Sequence, residues 1–308
     1  MRYRLDDIDA FLHVVETGSI SAAATQLNLS KSVVSKRVAD LEQALGVALL
    51  HRSTHGVTPT DEGDSFYVRG RAIMQQLDEA AEEVSATDGE LSGSLRISAP
   101  MSFGTLYLGP LLASFLQHHP RLDAVLDLDD RVVDLQTNSY DLAIRVAHLP
   151  DSSLVARRLC VTRRIVCCSP GYAERAGLPA SVDDIMNHDC IGYANVRSSQ
   201  VWRFEPARPG DEPRSLTVRS RIVANNGEIM RDMAVAGLGL AVLPAFIAAG
   251  ALADGRLIDA MPATRPTPIP IHAVYAKARQ PSKKIKAVVA HLQAALDGDP
   301  PWERLLST

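Results

Sequence analysis

Three cations and two hydroxyls, Lys31, Ser32, Ser35, Lys36 and Arg37, fall within about two helical turns of one another. Lysine and serine donate to phosphate oxygens and to acceptors on base edges, so this group suits a nucleic-acid surface. Arg37 and a later set, Arg52, Thr54 and Thr58, suit phosphate contacts or the minor groove. A second chemistry sits at two strand-to-helix junctions, Ala99-Pro100-Met101-Ser102-Phe103 and Asn225-Asn226-Gly227. Free N–H groups at a helix start, with the Ser102 hydroxyl beside them, can hold an anion such as a carboxylate. Plain helix capping is the competing use of Ser and Asn there. Catalytic machinery is not apparent: there is no G-x-S-x-G elbow, no H-E-x-x-H and no phosphate-binding loop. Gly237-Leu238-Gly239 resembles half a dinucleotide fingerprint, yet it follows a helical pattern and reads as a terminator. The expectation is a binding protein without a cofactor, not an enzyme.

The first donor group needs a helix to present it. Residues 5–17 predict one helix, with Ile8, Phe11, Leu12 and Val15 on its apolar face and Asp6 or Asp7 favouring its start. Residues 19–45 read as two more, joined at the short corner Asn28-Leu29-Ser30. Ile20, Ala23, Ala24 and Leu27 share a face in the first, and Val34, Val38, Leu41 and Leu45 in the second. Ser19 and Ser30 stand where side-chain oxygens cap helices. This pattern fits a helix-turn-helix whose second helix enters the major groove. After Gly46, Val47–Leu50 predicts a short strand, His51–Gly56 a tip and Val57-Thr58 the return, which together make a wing. From Thr60 a long helix begins, with Phe66, Gly70, Ile73, Leu77, Ala80 and Val84 as a narrow seam in steps of four and three. Such a seam suits the same helix of a second subunit, which predicts a homodimer. It fades through 85–90, and Ser92-Gly93-Ser94 reads as a flexible boundary.

Beyond Leu95 strands alternate with helices. Strands are expected at 95–99, 124–128 and 142–146, with helices at 102–118 and 133–137 between them. A second run follows: strand 164–168, helix 182–186, strands 190–193, 201–204 and 215–223, helix 228–236 and strand 240–243. Strand 271–275 and helix 282–296 close the chain. The alternation predicts parallel sheets in two lobes with a cleft between them.

Composition supports this plan. A chain of 308 residues, 46% hydrophobic and 22% charged, is long enough for two or three domains, and a net charge of −4 confines any nucleic-acid footprint to one region. Asp6, Asp7, Asp9 and Glu16 leave no apolar export core near the start, so a cytoplasmic protein is expected. The uncharged stretch 233–253 is broken by Gly237, Gly239, Pro244 and Gly250, which speaks against a membrane span. Cys160, Cys167, Cys168 and Cys190 lack metal-type spacing, and reduced, mostly buried thiols are expected. The Cys167-Cys168 pair near Arg163 and Arg164 leaves thiol-based redox sensing as an alternative. A solute-binding protein would account for residues 92–308 alone.

The chain resembles LysR-type transcriptional regulators over essentially its whole length. The resemblance rests on Val15-Glu16-Thr17-Gly18-Ser19-Ile20, Ala22-Ala23-Ala24, Ser30-Lys31-Ser32-Val33-Val34-Ser35-Lys36-Arg37, Leu41-Glu42, Leu45-Gly46, Leu49-Leu50, Arg52, and Thr60 with Gly63. Further on it includes Gly93–Pro100, Asp130–Leu135, Asp141–Arg145, Leu154–Leu159 and Gly237–Pro244. Leu50 stands where many members have Phe, and His55 where many have Arg. The resemblance implies an N-terminal all-α winged helix-turn-helix with a long linker helix, then a C-terminal α/β two-lobed effector-binding domain of the periplasmic-binding-protein type. The domains would be 1–59, 60–91 and 92–308, with one lobe at about 92–161 plus 267–308 and the other at about 162–266. It places a small-molecule effector among Pro100, Met101, Ser102, Phe103, Arg145, Val146, Asn225, Asn226, Gly227 and Pro244. Implied partners are double-stranded promoter DNA, RNA polymerase and further copies of the chain, as a homodimer or homotetramer.

Overall fold

The computed structural model describes residues 3–53, 56–85, 90–131, 140–149, 154–195, 201–206, 208, 210, 212–276, 282–298 and 300–307. The chain divides into two compact units that meet in sequence at Gly93 and Ser94.

In the first unit, α1 (Leu5–Thr17), α2 (Ile20–Gln26) and α3 (Lys31–Leu45) enclose a core of Ile8, Phe11, Leu12, Val14, Ala23, Ala24, Val34, Val38 and Leu41. These are the apolar positions that share a face at helical spacing. Asp7 ties down the start of α1 by accepting the Arg4 N–H at 3.0 Å. Ser19 and Ser30 cap α2 and α3 through the amides of Ala22 and Val33. The corner between them turns on Asn28, which takes a left-handed φ of 53°, a conformation that asparagine tolerates better than most residues.

The hairpin after α3 is β1 (Leu50–Ser53) paired antiparallel with β2 (Gly56–Pro59). The expected strand at 47–50 is therefore corrected to one that starts at Leu50. The residues before Leu50 are held differently: Glu42 Oε1 accepts the N–H groups of Leu49 (2.8 Å) and Leu50 (3.1 Å), and Ala48 O accepts the Thr60 hydroxyl. Helix α4 (Asp61–Ser85) starts on Thr60, whose Oγ1 caps the Gly63 amide. A Cβ at Gly63 would lie 2.0 Å from Leu49 O, so only glycine allows this approach.

The seam on α4 divides. Phe66 packs edge-on to Phe11 at 5.7 Å, and Gly70 touches Ile8 and Leu12. Ile73 and Leu77 remain 55% and 45% exposed, Ala80 is exposed too, and the Val84 side chain lies outside the described residues.

The second unit holds two five-stranded sheets. Its first elements are β3 (Ser92–Ala99), the short α5 (Met101–Phe103), a π turn over 104–108, α6 (Gly109–Gln117), β4 (Arg121–Leu128), β5 (Leu142–Val146) and β6 (Leu154–Thr162). The expected continuous helix 102–118 thus carries a wider turn. Nearby, Gly104 is pressed onto Leu128, where a Cβ would lie 2.3 Å from a methyl group. The expected helix 133–137 lies outside the described residues.

The chain continues through β7 (Arg164–Cys168), α7 (Pro170–Ala176), a 3₁₀ turn over 183–187, β8 (Cys190–Tyr193), β9 (Val201–Phe204), β10 (Arg214–Thr217), β11 (Ser220–Ala224), α8 (Gly227–Val235), β12 (Leu240–Pro244), α9 (Ala245–Ala253), β13 (Ile258–Asp259), β14 (Ile269–Ala276), α10 (Lys283–Leu296) and α11 (Pro301–Ser307).

Both sheets are mixed, which corrects the expectation of parallel sheets. In the first, ordered β4-β3-β5-β14-β6, β3 and β5 run parallel, but β14 returns antiparallel between β5 and β6. In the second, ordered β11-β8-β12-β7-β13, β11, β8 and β12 run parallel, and β7 runs antiparallel to both of its neighbours, β12 and β13. The expected strand 215–223 is two strands in different sheets, β10 beside β9 and β11 beside β8, broken around the buried Val218.

Candidate functional site

The exposed side of α3 carries the first candidate site. Val34 and Val38 are fully buried, and this orients Lys31, Ser32, Val33 and Lys36 outward, with Ser35 half-exposed. Lys31 and Lys36 have no ion-pair partner among the described residues, so two cations stand free at the first turns of the helix. Val33 is 39% exposed and was not anticipated; an apolar side chain between two cations suits the thymine methyl group. Its neighbour Val34 satisfies the core periodicity, and that doublet is the sequence signal for Val33.

Arg37 is engaged within the unit: its Nη2 meets Asp6 Oδ2 at 3.2 Å, so it faces α1 in this arrangement instead of standing free. An exposed pair of this kind is weak enough for a phosphate to compete. Arg52 lies 3.5 Å from Glu42 Oε2 on β1, and Thr58 is exposed on β2. Thr54 and His55 lie outside the described residues.

The second candidate site gathers helix starts from the second unit. A Cβ added at Gly227 would lie 3.6 Å from Ser102 Oγ and 2.4 Å from the Ile247 Cδ1, so the first turns of α5, α8 and α9 converge on one place. Ser102 is 4% exposed, and its hydroxyl has no hydrogen-bond partner among the described residues. The Met101 amide donates to Asp130 Oδ1 at 2.9 Å, so one proposed anion donor already holds an internal carboxylate. Burial raises Asp130 from its ordinary carboxylate value and Tyr193 to about 12.

The remaining expected residues divide by what they touch. Asn226 Oδ1 caps α8 through the Ile229 amide at 3.0 Å, and the Asn225 carbonyl accepts from Asn195 Nδ2 at 3.0 Å. The Asn226 side chain is therefore spent on local structure, whereas the Asn225 side chain is exposed and only its backbone carbonyl is engaged. Phe103 is fully buried against Tyr107, Phe246 and Trp302, so its ring is core and does not line an open cleft. Arg145 hydrogen-bonds to Ile144 O at 2.9 Å and Ser98 Oγ at 3.4 Å, which hold it against its own sheet, while Val146 pairs with Ile271. Pro100 precedes the first turn of α5, Met101 is 43% exposed, and Pro244 ends β12 directly before α9.

The thiols offer little nucleophilic chemistry. Burial raises Cys160 and Cys190 to about 12 and Cys168 to about 11, and pushes Cys167 higher still. No cluster of His, Cys, Asp and Glu fit for a metal occurs among the described residues. No described helix is long and apolar enough to cross a membrane.

Comparison with known proteins joins the two sites. Residues 5–64 match the bacterial regulatory helix-turn-helix of the lysR family, and residues 88–297 the LysR substrate binding domain. The chain is 34% identical over 298 residues to the HTH-type transcriptional regulator PtxR of Pseudomonas aeruginosa, covering 96% of this chain and 94% of that protein. It is 35% identical over 285 residues to an HTH-type transcriptional regulator of Haemophilus influenzae, covering 92% and 98%. Among solved structures, CrgA of Neisseria meningitidis, a LysR-type transcriptional regulator, aligns with a TM-score of 0.61 at 30% identity over 95% of this chain and 99% of that one. The Vibrio cholerae virulence activator AphB aligns with a TM-score of 0.61 at 25% identity, over 94% and 99%.

Proposed function

The chain belongs to the LysR family of DNA-binding transcriptional regulators, and from that premise we propose how its own residues divide the work. Residues 1–59 read operator DNA, 60–91 pair the subunits, and 92–308 bind a small-molecule effector between lobes at about 92–161 plus 267–308 and about 162–266. The observation that carries this reading is the exposed face of α3, where Lys31 and Lys36 stand without ion-pair partners among the described residues, beside Ser32, Val33 and Ser35. These side chains face base edges and phosphates in the major groove. Arg37, Arg52, Thr54 and Thr58 hold the backbone or reach the minor groove.

Ile73 and Leu77, exposed on α4, meet the same helix of a second copy, giving a homodimer or a tetramer of two such pairs. The effector sits where Ser102 faces Gly227. By binding one lobe arrangement more tightly than another, it changes how the paired reading helices engage the promoter and recruit RNA polymerase. The protein works in the cytoplasm.

The test is operator binding by fluorescence anisotropy at physiological salt. Lys31→Ala and Ser35→Ala are each expected to cost about 1–3 kcal/mol on the specific site and little on random DNA. Unchanged specific affinity in both would remove the reading-helix assignment. A thiol-based redox mechanism is the weaker reading, because burial disfavours all four thiolates. Equal operator affinity in peroxide and in dithiothreitol is the expected result.

A further inference from the structure

The place where Ser102 faces Gly227 contains two unmet demands of opposite sign. Ser102 is 4% exposed and its hydroxyl is unpartnered among the described residues, beside the first turn of the nine-residue α8. A buried hydroxyl left unpaired costs free energy, and the amide end of α8 favours negative charge, so this half of the site calls for an anion. The other half is acidic. Asp130 accepts the Met101 amide, next to Ser102, and Glu228 stands in the first turn of α8, next to Gly227. Among the described residues neither carboxylate has a salt bridge, whereas the neighbouring Asp129 is paired with Arg131 at 2.6 Å.

A ligand bearing only a carboxylate would bring a third negative charge beside Asp130 and Glu228. A ligand bearing only an amine would set a positive charge against the amide end of α8 and leave its free N–H groups without an acceptor. Resting on the effector-site reading above, we propose that the site takes a zwitterion, an amino acid or a related aminocarboxylate. Its carboxylate meets Ser102 and the amide end of α8, and its ammonium meets Asp130 and Glu228. The arrangement discriminates against simple organic acids by charge, because their carboxylate fits the same donors but finds no relief from the acidic wall. The Met101 amide stays with Asp130, which fixes that carboxylate for the ammonium.

The experiment uses the full chain in thermal-shift and calorimetric titrations. The probes are the common L-amino acids, each beside the matched acid lacking the amine and the matched amine lacking the carboxylate. At least one amino acid is expected to raise Tm and to bind about ten-fold or more tighter than either counterpart. Asp130→Asn with Glu228→Gln should narrow the gap between amino acid and matched acid, and Ser102→Ala should weaken both. Folding of each variant is checked by circular dichroism; if the double variant unfolds, Glu228→Gln alone carries the comparison. An organic acid that binds as tightly as its amino acid, or an amino-acid set with no binder, overturns the proposal. An acid that binds wild type and is lost in Ser102→Ala leaves the effector site standing while removing the zwitterion. Ligands indifferent to Ser102→Ala remove the effector-site reading itself.

Discussion

Glu42 ties the hairpin to the reading helix through two hydrogen bonds and an ion pair, and its replacement has a calculable cost. One carboxylate oxygen accepts the N–H groups of Leu49 and Leu50, at 2.8 and 3.1 Å, while the other lies 3.5 Å from Arg52. The side chain is 18% exposed, so water reaches the two amides poorly once the acceptor is gone. Leaving a buried donor unpaired costs about 1–3 kcal/mol, and with partial solvation the pair together costs about 2–3 kcal/mol in Glu42→Ala. Glu42→Gln keeps an oxygen for both amides and gives up only the ion pair, worth about 1 kcal/mol or less. Hydrogen exchange of the Leu49 and Leu50 amides in the full chain reads this locally. Protection should fall by roughly 30- to 150-fold in Glu42→Ala, at about 1.4 kcal/mol per factor of ten, and far less in Glu42→Gln. Operator affinity should follow the same order. Wild-type protection in the alanine variant, or equal damage in the glutamine variant, would refute the reasoning.

Asp6→Asn should release Arg37 from its 3.2 Å pair and steepen the salt dependence of operator binding by about 0.9, one phosphate's share; an unchanged slope would leave Arg37 without a DNA role. Leu77→Asp places a charge on the exposed part of the α4 seam, and sedimentation should show a smaller species than wild type; identical sedimentation would contradict the pairing. Burial raises the Asp130 pKa, so the stability linked to its proton is fully present below the unfolded carboxylate value of about 4 and is lost as pH rises through the folded one. Asp130→Asn keeps an oxygen for the Met101 amide. Its Tm should exceed that of wild type at neutral pH, with the gap closing toward pH 4 or below; a gap independent of pH would point to another cause.

The first unit was legible because its periodicities are local. Val34, Val38 and Leu41 mark a buried stripe at helical spacing, and Ser19 and Ser30 mark where helices start. The hairpin start is not legible locally, because Val47–Leu50 has strand-like residues whose backbone groups are claimed by Glu42 and Thr60, partners seven to twelve residues away. Strand direction was illegible for a related reason. Alternating helices and strands favour parallel pairing, yet β14 enters the first sheet antiparallel, after the chain has already supplied every strand of the second. Strand β6 and the helices α7 and α11 went unassigned, since Leu154–Thr162 alternates poorly and seven-residue helices barely register as periodic. At the candidate effector site the junction residues were visible, but Asp130, 29 residues from Met101, becomes a neighbour only through the fold.

The position of β14 also bears on how the chain assembles as it is made. The second sheet draws all its strands from one continuous stretch, Arg164 to Asp259, and can close as soon as that stretch has been synthesised. The first sheet cannot: β5 and β6 wait, unpaired with each other, for residues 269–276 to enter between them. The element made later thus completes the sheet begun earlier, and a chain ending before Ile269 would carry two open strand edges that invite pairing with other chains.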